Sequence, residues 1–197
     1  GANTVSVLLG MGAGTFRLAN NFSTGPIGSM TAAVATGDFN GDGNLDLVVL
    51  NPGDGTTLGG RVGVMFGVGD GTFNSVDQNI VGATGDGLSA IGVGDMDGDT
   101  DVDIVVANPG RVDPGISVLI NDGFGLFPTQ FAFATTDAPS DIVLGQVTQG
   151  DSNLDVITTS FAGDSVTVLL GSGNLPPAAL LTPAAPTPID LGTPKGP

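Results

Sequence analysis

The sequence predicts an all-β protein made of repeated four-stranded antiparallel units, with no significant helix. Turn-forming residues dominate its composition: 34 residues are Gly, and all 20 acidic residues are Asp, which favours turns over helices. Short apolar runs alternate with segments rich in Gly, Asn and Asp, as expected for strands joined by tight turns. The same pattern returns at intervals of 50 to 57 residues, which indicates an internal repeat.

One apolar motif that ends in Gly or Asn defines the repeat. Its four copies are Ser6-Val7-Leu8-Leu9-Gly10, Gly63-Val64-Met65-Phe66-Gly67, Ser117-Val118-Leu119-Ile120-Asn121 and Thr167-Val168-Leu169-Leu170-Gly171. The first three copies are followed by a glycine-rich turn that ends in Phe16, Phe73 or Phe127. Because Gly readily adopts a positive φ, these turns predict β-hairpins.

The predicted strands follow the repeat in order. The first unit has strands at about Thr31–Gly37, Leu45–Leu50, Arg61–Phe66 and Thr72–Ile80. The second unit has strands at Leu88–Gly94, Val102–Ala107, Gly115–Ile120 and Leu126–Ala134. A third unit has strands at Ser140–Gly145, Leu154–Ser160 and Ser165–Leu170, and the N-terminus supplies Thr4–Leu9 and Thr15–Phe22 as the last two strands of a preceding unit.

Four antiparallel strands in about 50 residues form the blade of a β-propeller or of an open array of such blades. We predict blade repeats over residues 1–171: a half blade at about 3–30, blades at 31–81 and 88–135, and an incomplete blade at 139–171. Residues 172–197 are rich in Pro, Ala and Thr and are predicted to be an extended tail that packs against another surface. The chain begins at Gly1, so we expect a processed product or a piece of a longer protein.

Two acidic segments, residues 37–49 and 94–106, read almost as copies of each other. Each places oxygen-bearing side chains at alternate positions and then runs into an apolar strand. Carboxylates this close repel one another and are stable together around a hard cation that binds their oxygens. A solvated, Asx-rich turn is the alternative for one such segment, but the shared register with the strand repeat favours two calcium sites. An EF-hand is disfavoured because its Glu and its flanking helices are missing.

These two acidic loops and the Ser-Val-Leu-Leu-Gly…Gly-Thr-Phe strands resemble the FG-GAP/VCBS repeat family over about residues 3–171. The resemblance implies blades of the integrin-α type, in which the loop between the first two strands binds Ca²⁺. The ligands that it implies are the side chains of Asp38, Asn40, Asp42 and Asp46 with the carbonyl of Asn44, and the side chains of Asp95, Asp97, Asp99 and Asp103 with the carbonyl of Asp101. The third loop, Gln146–Asp155, departs from the pattern through Gln146, Thr148 and one inserted residue, so we expect it to bind no metal.

The residue inventory excludes most kinds of catalysis. The chain has no His, Cys, Glu, Tyr or Trp, which rules out Ser-His-Asp and Cys-His arrangements and thiolate zinc sites. A hydrolase or lyase that uses only Asp is disfavoured because the best Asp clusters are already predicted to bind calcium, and we predict no enzymatic activity. The formal charge of −16, with only Arg17, Arg61, Arg111 and Lys195 as cations, argues against nucleic acid or anionic membrane partners. No apolar run approaches the ~20 residues of a membrane span.

The predicted function is that of a calcium-stabilised structural protein outside the cell or at its surface. Calcium is abundant there, so sites with dissociation constants of about 10⁻⁴–10⁻³ M are filled. The strands are too few to close a familiar propeller, so we predict a homo-oligomer, in which the chain is a filament or surface-layer subunit that assembles by strand or tail exchange. The alternative is a fragment of a larger adhesion propeller that binds protein or glycan. Candidate glycan acceptors are Asn21, in Asn21-Phe22-Ser23, and the tail threonines Thr182, Thr187 and Thr193.

Overall fold

The computed structural model describes residues 4–18, 20–24, 31–53, 59–74, 77–80, 87–110, 114–172, 181–183 and 189–190. An N-terminal hairpin comes first, with strands β1 (Thr4–Val7), β2 (Gly10–Gly12), β3 (Thr15–Phe16) and β4 (Asn20–Ser23). Strand β1 pairs with β4 and β2 with β3, both antiparallel. The two long strands predicted here are therefore interrupted, and the register shifts between Gly10 and Gly12.

Two four-stranded antiparallel sheets follow. The first contains β5 (Ala33–Gly37), β6 (Asp46–Asn51), β7 (Arg61–Met65) and β8 (Asp77–Ile80) in sequential order. The second contains β9 (Ile91–Gly94), β10 (Asp103–Asn108), β11 (Gly115–Ile120) and β12 (Thr129–Ala134), again in sequential order. The middle strands β6 and β11 are buried along their whole length, which explains why they read as continuous apolar runs rather than as alternating patterns.

The last sheet differs from the sequence prediction because the tail takes part in it. Its strands are β13 (Asp141–Gly145), β14 (Asp155–Ser160) and β15 (Ser165–Gly171), followed by the tail strands β16 (Leu181–Pro183) and β17 (Ile189–Asp190). Both tail strands pair antiparallel with β15. They lie at the edge where a fourth strand lies in the two preceding sheets, so backbone groups of β15 that would otherwise face solvent are paired.

Consecutive sheets pack face against face through apolar side chains. One buried cluster joins the N-terminal hairpin to the first four-stranded sheet and includes Val49, Met65 and the partly buried Phe22. A second cluster joins the two four-stranded sheets, with Phe39 at its centre, and a third joins the second of these sheets to the last sheet. Removing a side chain such as Phe39 from water contributes roughly 1.5–3 kcal/mol to folding.

The first strands of the three sheets lie side by side, since β5 contacts β9 and β9 contacts β13. This is the arrangement of inner strands in a propeller, and the described strands form an open array rather than a closed ring. All regular elements among the described residues are strands, so the prediction of an all-β fold with antiparallel blades is confirmed. No described segment forms a helix that could span a membrane. The exact domain boundaries stay a prediction.

Candidate metal centres

The second acidic loop joins β9 to β10 and gathers three carboxylates. Asp95, Asp97 and Asp99 each place an oxygen within 4.8 Å of the others. The loop curls because its backbone N–H groups turn inward: Gly98 N donates to Asp95 Oδ1 over 2.7 Å, and Thr100 N donates to Asp95 Oδ2 over 3.0 Å. Positive φ angles of 85° at Gly98 and 82° at Thr100 make this curl, and the value at Thr100 is costly for a β-branched residue.

The electrostatics of this loop favour a cation. Burial raises the pKa of Asp97, and the neighbouring carboxylates of Asp99 and Asp95 raise it further. Partial burial, followed by the charges of Asp99 and Asp95, also raises the pKa of Asp101. A raised carboxyl pKa means that the ionised form is disfavoured in its surroundings. A divalent ion at the three carboxylates would remove this cost.

The first acidic loop joins β5 to β6 and brings Asp38, Asn40 and Asp42 together. Asp42 N donates to Asp38 Oδ1 over 3.2 Å and to Asn40 Oδ1 over 3.1 Å. Gly43 N donates to Asp38 Oδ2 over 2.8 Å, and Asn40 Nδ2 donates to Asp42 Oδ2 over 3.1 Å. Carboxylate and amide oxygens are the donors that Ca²⁺ prefers, so the residues in both loops fit this ion chemically.

Asn44 and Asp101, at the seventh loop position, turn their side chains toward a neighbouring hairpin turn. A Cβ added at Gly69 would lie 2.4 Å from Asn44 Oδ1, and one added at Gly123 would lie 2.6 Å from Asp101 Oδ2. Positive φ angles of 85° at Gly69 and 79° at Gly123 favour glycine at both turns, and the missing Cβ leaves room for these side chains. Asn44 and Asp101 are predicted to bind calcium through their backbone carbonyls, and that role is compatible with side chains that point toward these turns.

The last aspartate of each loop, Asp46, Asp103 or Asp155, is buried and does not belong to the group of three carboxylates in the second loop. One oxygen of Asp46 accepts from Phe39 N and the other from Gly67 N, both over 2.8 Å. Asp103 accepts in the same way from Met96 N and Asn121 N, both over 2.8 Å, and Asp155 accepts from Val147 N over 2.8 Å and Gly171 N over 2.9 Å. Each aspartate thus joins the start of its loop to the end of the third strand.

This joining role was not predicted, because sequence reasoning assigned Asp46 and Asp103 only as calcium ligands. A carboxylate has lone pairs left after two such bonds, so the role does not exclude ligation. One sequence signal for the joining role was available. Asp155 stands at the position of Asp46 and Asp103 in the third loop, although Gln146 and Thr148 replace other ligands there. Its bonds show that the joining role needs no neighbouring group of carboxylates.

The pKa values of these aspartates differ with their surroundings. Burial raises the pKa of Asp103 to about 7, with smaller contributions from the charges of Asp97 and Asp99, despite the two backbone bonds. Burial also raises the pKa of Asp46. At Asp155 burial again opposes ionisation, but hydrogen bonds from Gly171, Val147 and Thr148 together hold the pKa below its ordinary value. Hydrogen bonds from protein donors therefore stabilise the ionised carboxylate of Asp155 without a cation.

The third loop is held together by protein donors. Gln146 Nε2 donates to the carbonyl of Ser152 over 2.8 Å, so the residue that replaces the first aspartate of the pattern closes the loop as a donor. Thr148 donates to Asp155 through its backbone N over 3.0 Å and its hydroxyl over 3.2 Å. That this loop binds no metal stays a prediction.

Asn121 connects the two acidic loops, and sequence reasoning missed it. Its Nδ2 donates to the carbonyl of Phe39 in the first loop over 2.8 Å and to the carbonyl of Val102 in the second over 3.1 Å. Its Oδ1 accepts from Gly123 N and Gly125 N, each over 3.2 Å. The only sequence signal is that Asn stands where the three other copies of the motif have Gly.

The fold and the loops together define a repeat protein of antiparallel blades with acidic loops between the first and second strands of its two four-stranded sheets. A family model described as FG-GAP-like repeat matches residues 1–49, which span the N-terminal hairpin, β5 and the first acidic loop. That match confirms the predicted resemblance to this family over the first 49 of the 197 residues, and it indicates a repeat of the kind found in β-propellers. Neither the comparison with curated proteins nor the comparison with solved structures found a match.

Proposed function

We propose that the chain is a calcium-stabilised, non-enzymatic structural repeat protein that works outside the cell and assembles with copies of itself. The observation that carries the calcium assignment is the convergence of Asp95, Asp97 and Asp99 to within 4.8 Å of one another. The FG-GAP-like match supports the same assignment for the first loop, because such repeats often bind Ca²⁺ there. Repeats of this kind are also usually extracellular, where the ion is abundant.

Calcium in these loops would be structural. Asp38, Asn40 and Asp42 would hold one ion and Asp95, Asp97 and Asp99 the other, with Asp46 and Asp103 offering their remaining lone pairs. Each ion would supply positive charge that offsets carboxylate repulsion between the first two strands of a sheet. If each site is filled at 100 times its dissociation constant, each adds about 2.7 kcal/mol to the free energy of unfolding.

Two cavities lined by described residues support a structural role rather than an enzymatic one. A cavity of about 240 Å³ is lined by residues of β10, β11 and β12, none of them acidic. A more open groove of about 510 Å³ lies between the N-terminal hairpin and the turn at residues 69–71, and Asp70 is its only carboxylate. Hydrolysis of a glycoside requires two carboxylates that face each other, and neither space has such a pair.

Self-assembly is supported by the open ends of the array. Within the described residues β1 pairs only with β4, whereas its counterparts β7 and β11 each have a strand on both sides. Terminal faces of a repeat array need covering. The alternative function, an adhesion propeller that binds protein or glycan through its loops, is favoured if further blades flank this chain.

The calcium assignment is tested by calorimetric titration of the full chain and of three variants. Wild type is expected to bind two ions, and Asp42→Ala and Asp99→Ala one each. Asp151→Ala is the matched control, because it removes an exposed aspartate from the third loop and should leave both sites intact. Chelator should lower the melting temperature of wild type and of the control.

Two results would contradict the proposal. One is the absence of binding heat together with a melting temperature that chelator leaves unchanged. The other is an equal loss of calcium from Asp151→Ala and Asp99→Ala, since this would mean that the acidic loops bind ions only through general negative charge. Light scattering on the same samples reports assembly independently of calcium binding.

A further inference from the structure

Three equivalent residues follow the first strand of each sheet, and they differ in how well they are covered. Phe39, Met96 and Val147 each stand two positions after the terminal Gly of β5, β9 or β13. Each donates its backbone N–H to the buried aspartate of its own loop, which confirms the equivalence. Phe39 is 0% exposed and Met96 1%, but Val147 is 52% exposed.

The difference arises because each covered residue packs against the following sheet. The ring of Phe39 contacts that of Phe127 edge-on, with centroids 6.0 Å apart, and the carbonyl of Phe39 accepts from Asn121. Met96 lies in a core cluster with Val156 and Leu169 of the last sheet. Val147 belongs to the last sheet, and its exposure shows that the described chain provides no such cover.

The N-terminal hairpin carries the opposite surface, also exposed. Phe16 ends the glycine-rich turn that corresponds to the turn ending in Phe127, the ring that covers Phe39. Phe16 is 61% exposed, and Leu18, two residues further along the chain, is 96% exposed. The turn at Gly71 packs against Leu9, and the turn at Gly125 packs against Phe66, which is the repeat counterpart of Leu9. Among the described residues, therefore, the N-terminal hairpin and the first four-stranded sheet are each met by the hairpin turn of the following sheet.

We propose that a second copy of this chain docks head to tail, with the N-terminal hairpin of one copy over Val147 of the last sheet of another. The contact would repeat between copies the packing that Phe127 and Phe39 make within one chain. The repeat equivalence of Phe16 to Phe127 is the observation that specifies a second copy of this chain as the partner. The inference depends on the self-assembly part of the proposed function and names its interface.

Because the two surfaces are different, this contact is heterologous. Such a contact gives a ring if the rotation between copies closes and a filament if it does not. It also requires no release of the tail, since β16 and β17 remain paired with β15 of their own chain. It therefore differs from assembly by strand or tail exchange, in which the tail would leave β15.

The test uses the absence of cysteine from the chain. Phe16→Cys and Val147→Cys variants are mixed in calcium and treated with a short thiol-reactive cross-linker, and a chain with both substitutions is treated separately. We expect mixed dimers from the first sample and a ladder of higher oligomers from the second. The matched control replaces Val147→Cys by Phe124→Cys, which places the thiol at another exposed position, in an internal turn; Phe124 is 77% exposed and Val147 52%.

A control mixture that cross-links as well as the test mixture would overturn the head-to-tail contact. If light scattering shows oligomers of wild type but the Phe16–Val147 pair does not cross-link, self-assembly stands and this interface is wrong. If wild type is monomeric at every concentration, both fail. Phe16→Asp provides a second check: it should abolish the wild-type oligomer, whereas Phe124→Asp should not.

Discussion

Asp155 separates the two roles of the buried loop aspartate, because it lies in the loop that is predicted to bind no calcium. Its Oδ1 accepts from Gly171 N, and its Oδ2 accepts from Val147 N and from the backbone N and hydroxyl of Thr148. The substitution Asp155→Asn keeps the size of the side chain and removes its charge. It must also turn an NH₂ group toward at least one backbone N–H, since every partner of this carboxylate is a donor.

The expected cost follows from these contacts. One backbone N–H is left buried and unsatisfied, which costs about 1–3 kcal/mol, and the remaining bonds become weaker because they are no longer assisted by charge. We therefore expect the free energy of unfolding to fall by about 2–4 kcal/mol at neutral pH. Since hydrogen bonds hold the pKa of Asp155 below its ordinary value of 3.8, its stabilisation is present above pH 3.8 and is lost as pH falls through the folded-state value.

The assay is urea denaturation of Asp155→Asn and wild type, with calcium and with chelator, and hydrogen exchange to locate the loss. Equal losses in the two conditions, centred on β13, β14 and β15, are expected. Asp151→Asn is the control, because Asp151 is exposed and accepts one long bond of 3.3 Å from Asn153 N. The reasoning is refuted if Asp155→Asn costs no more than this control, or if its cost requires calcium.

Two further predictions concern the second acidic loop. Asn121→Asp keeps the acceptor but turns a carboxylate oxygen toward the carbonyls of Phe39 and Val102. We therefore expect the free energy of unfolding to fall by about 2–4 kcal/mol and hydrogen exchange to become faster at both loops. Unchanged exchange at Phe39 would contradict this. Burial raises the pKa of Asp103 to about 7 in the folded chain, whereas its ordinary value is 3.8. Between these two pH values the folded chain keeps a proton that the unfolded chain has released. Without calcium, the free energy of unfolding should therefore fall as pH rises from about 4 to about 7. Denaturation of chelated protein across this range measures the slope, and a slope that Asp103→Asn leaves unchanged would exclude Asp103 as its source.

Much of the strand pattern could be predicted because it is encoded locally. The strand predicted at Gly115–Ile120 is found with those bounds as β11, and β6 and β10 are each displaced by one residue from the prediction. These strands are continuous apolar runs between turn residues, and such runs can be identified as strands from the sequence alone. The fourth strand of the first unit was less well predicted: Thr72–Ile80 is a bridge at Phe73 followed by the short strand β8.

The acidic loops were recognisable for the same reason, since alternate oxygen-bearing residues are a short-range pattern. Asp95, Asp97 and Asp99 converge within a single short loop, so their proximity depends only on neighbouring residues in the sequence. The bonds of the buried aspartates and of Asn121 could not be predicted in this way, because Gly67 lies 21 residues from Asp46 and Asn121 lies 82 residues from Phe39. No local pattern indicates such partners.

The sequence by itself determined the all-β class, the repeat, most strands and the two candidate calcium loops, because each depends on residues close together in the chain. Only the tertiary structure decided that the tail strands pair with β15, that Asn121 bridges both loops, and that Phe39 is covered whereas Val147 is exposed. These features depend on which surfaces meet after the sheets stack, and that depends on contacts between residues far apart in sequence.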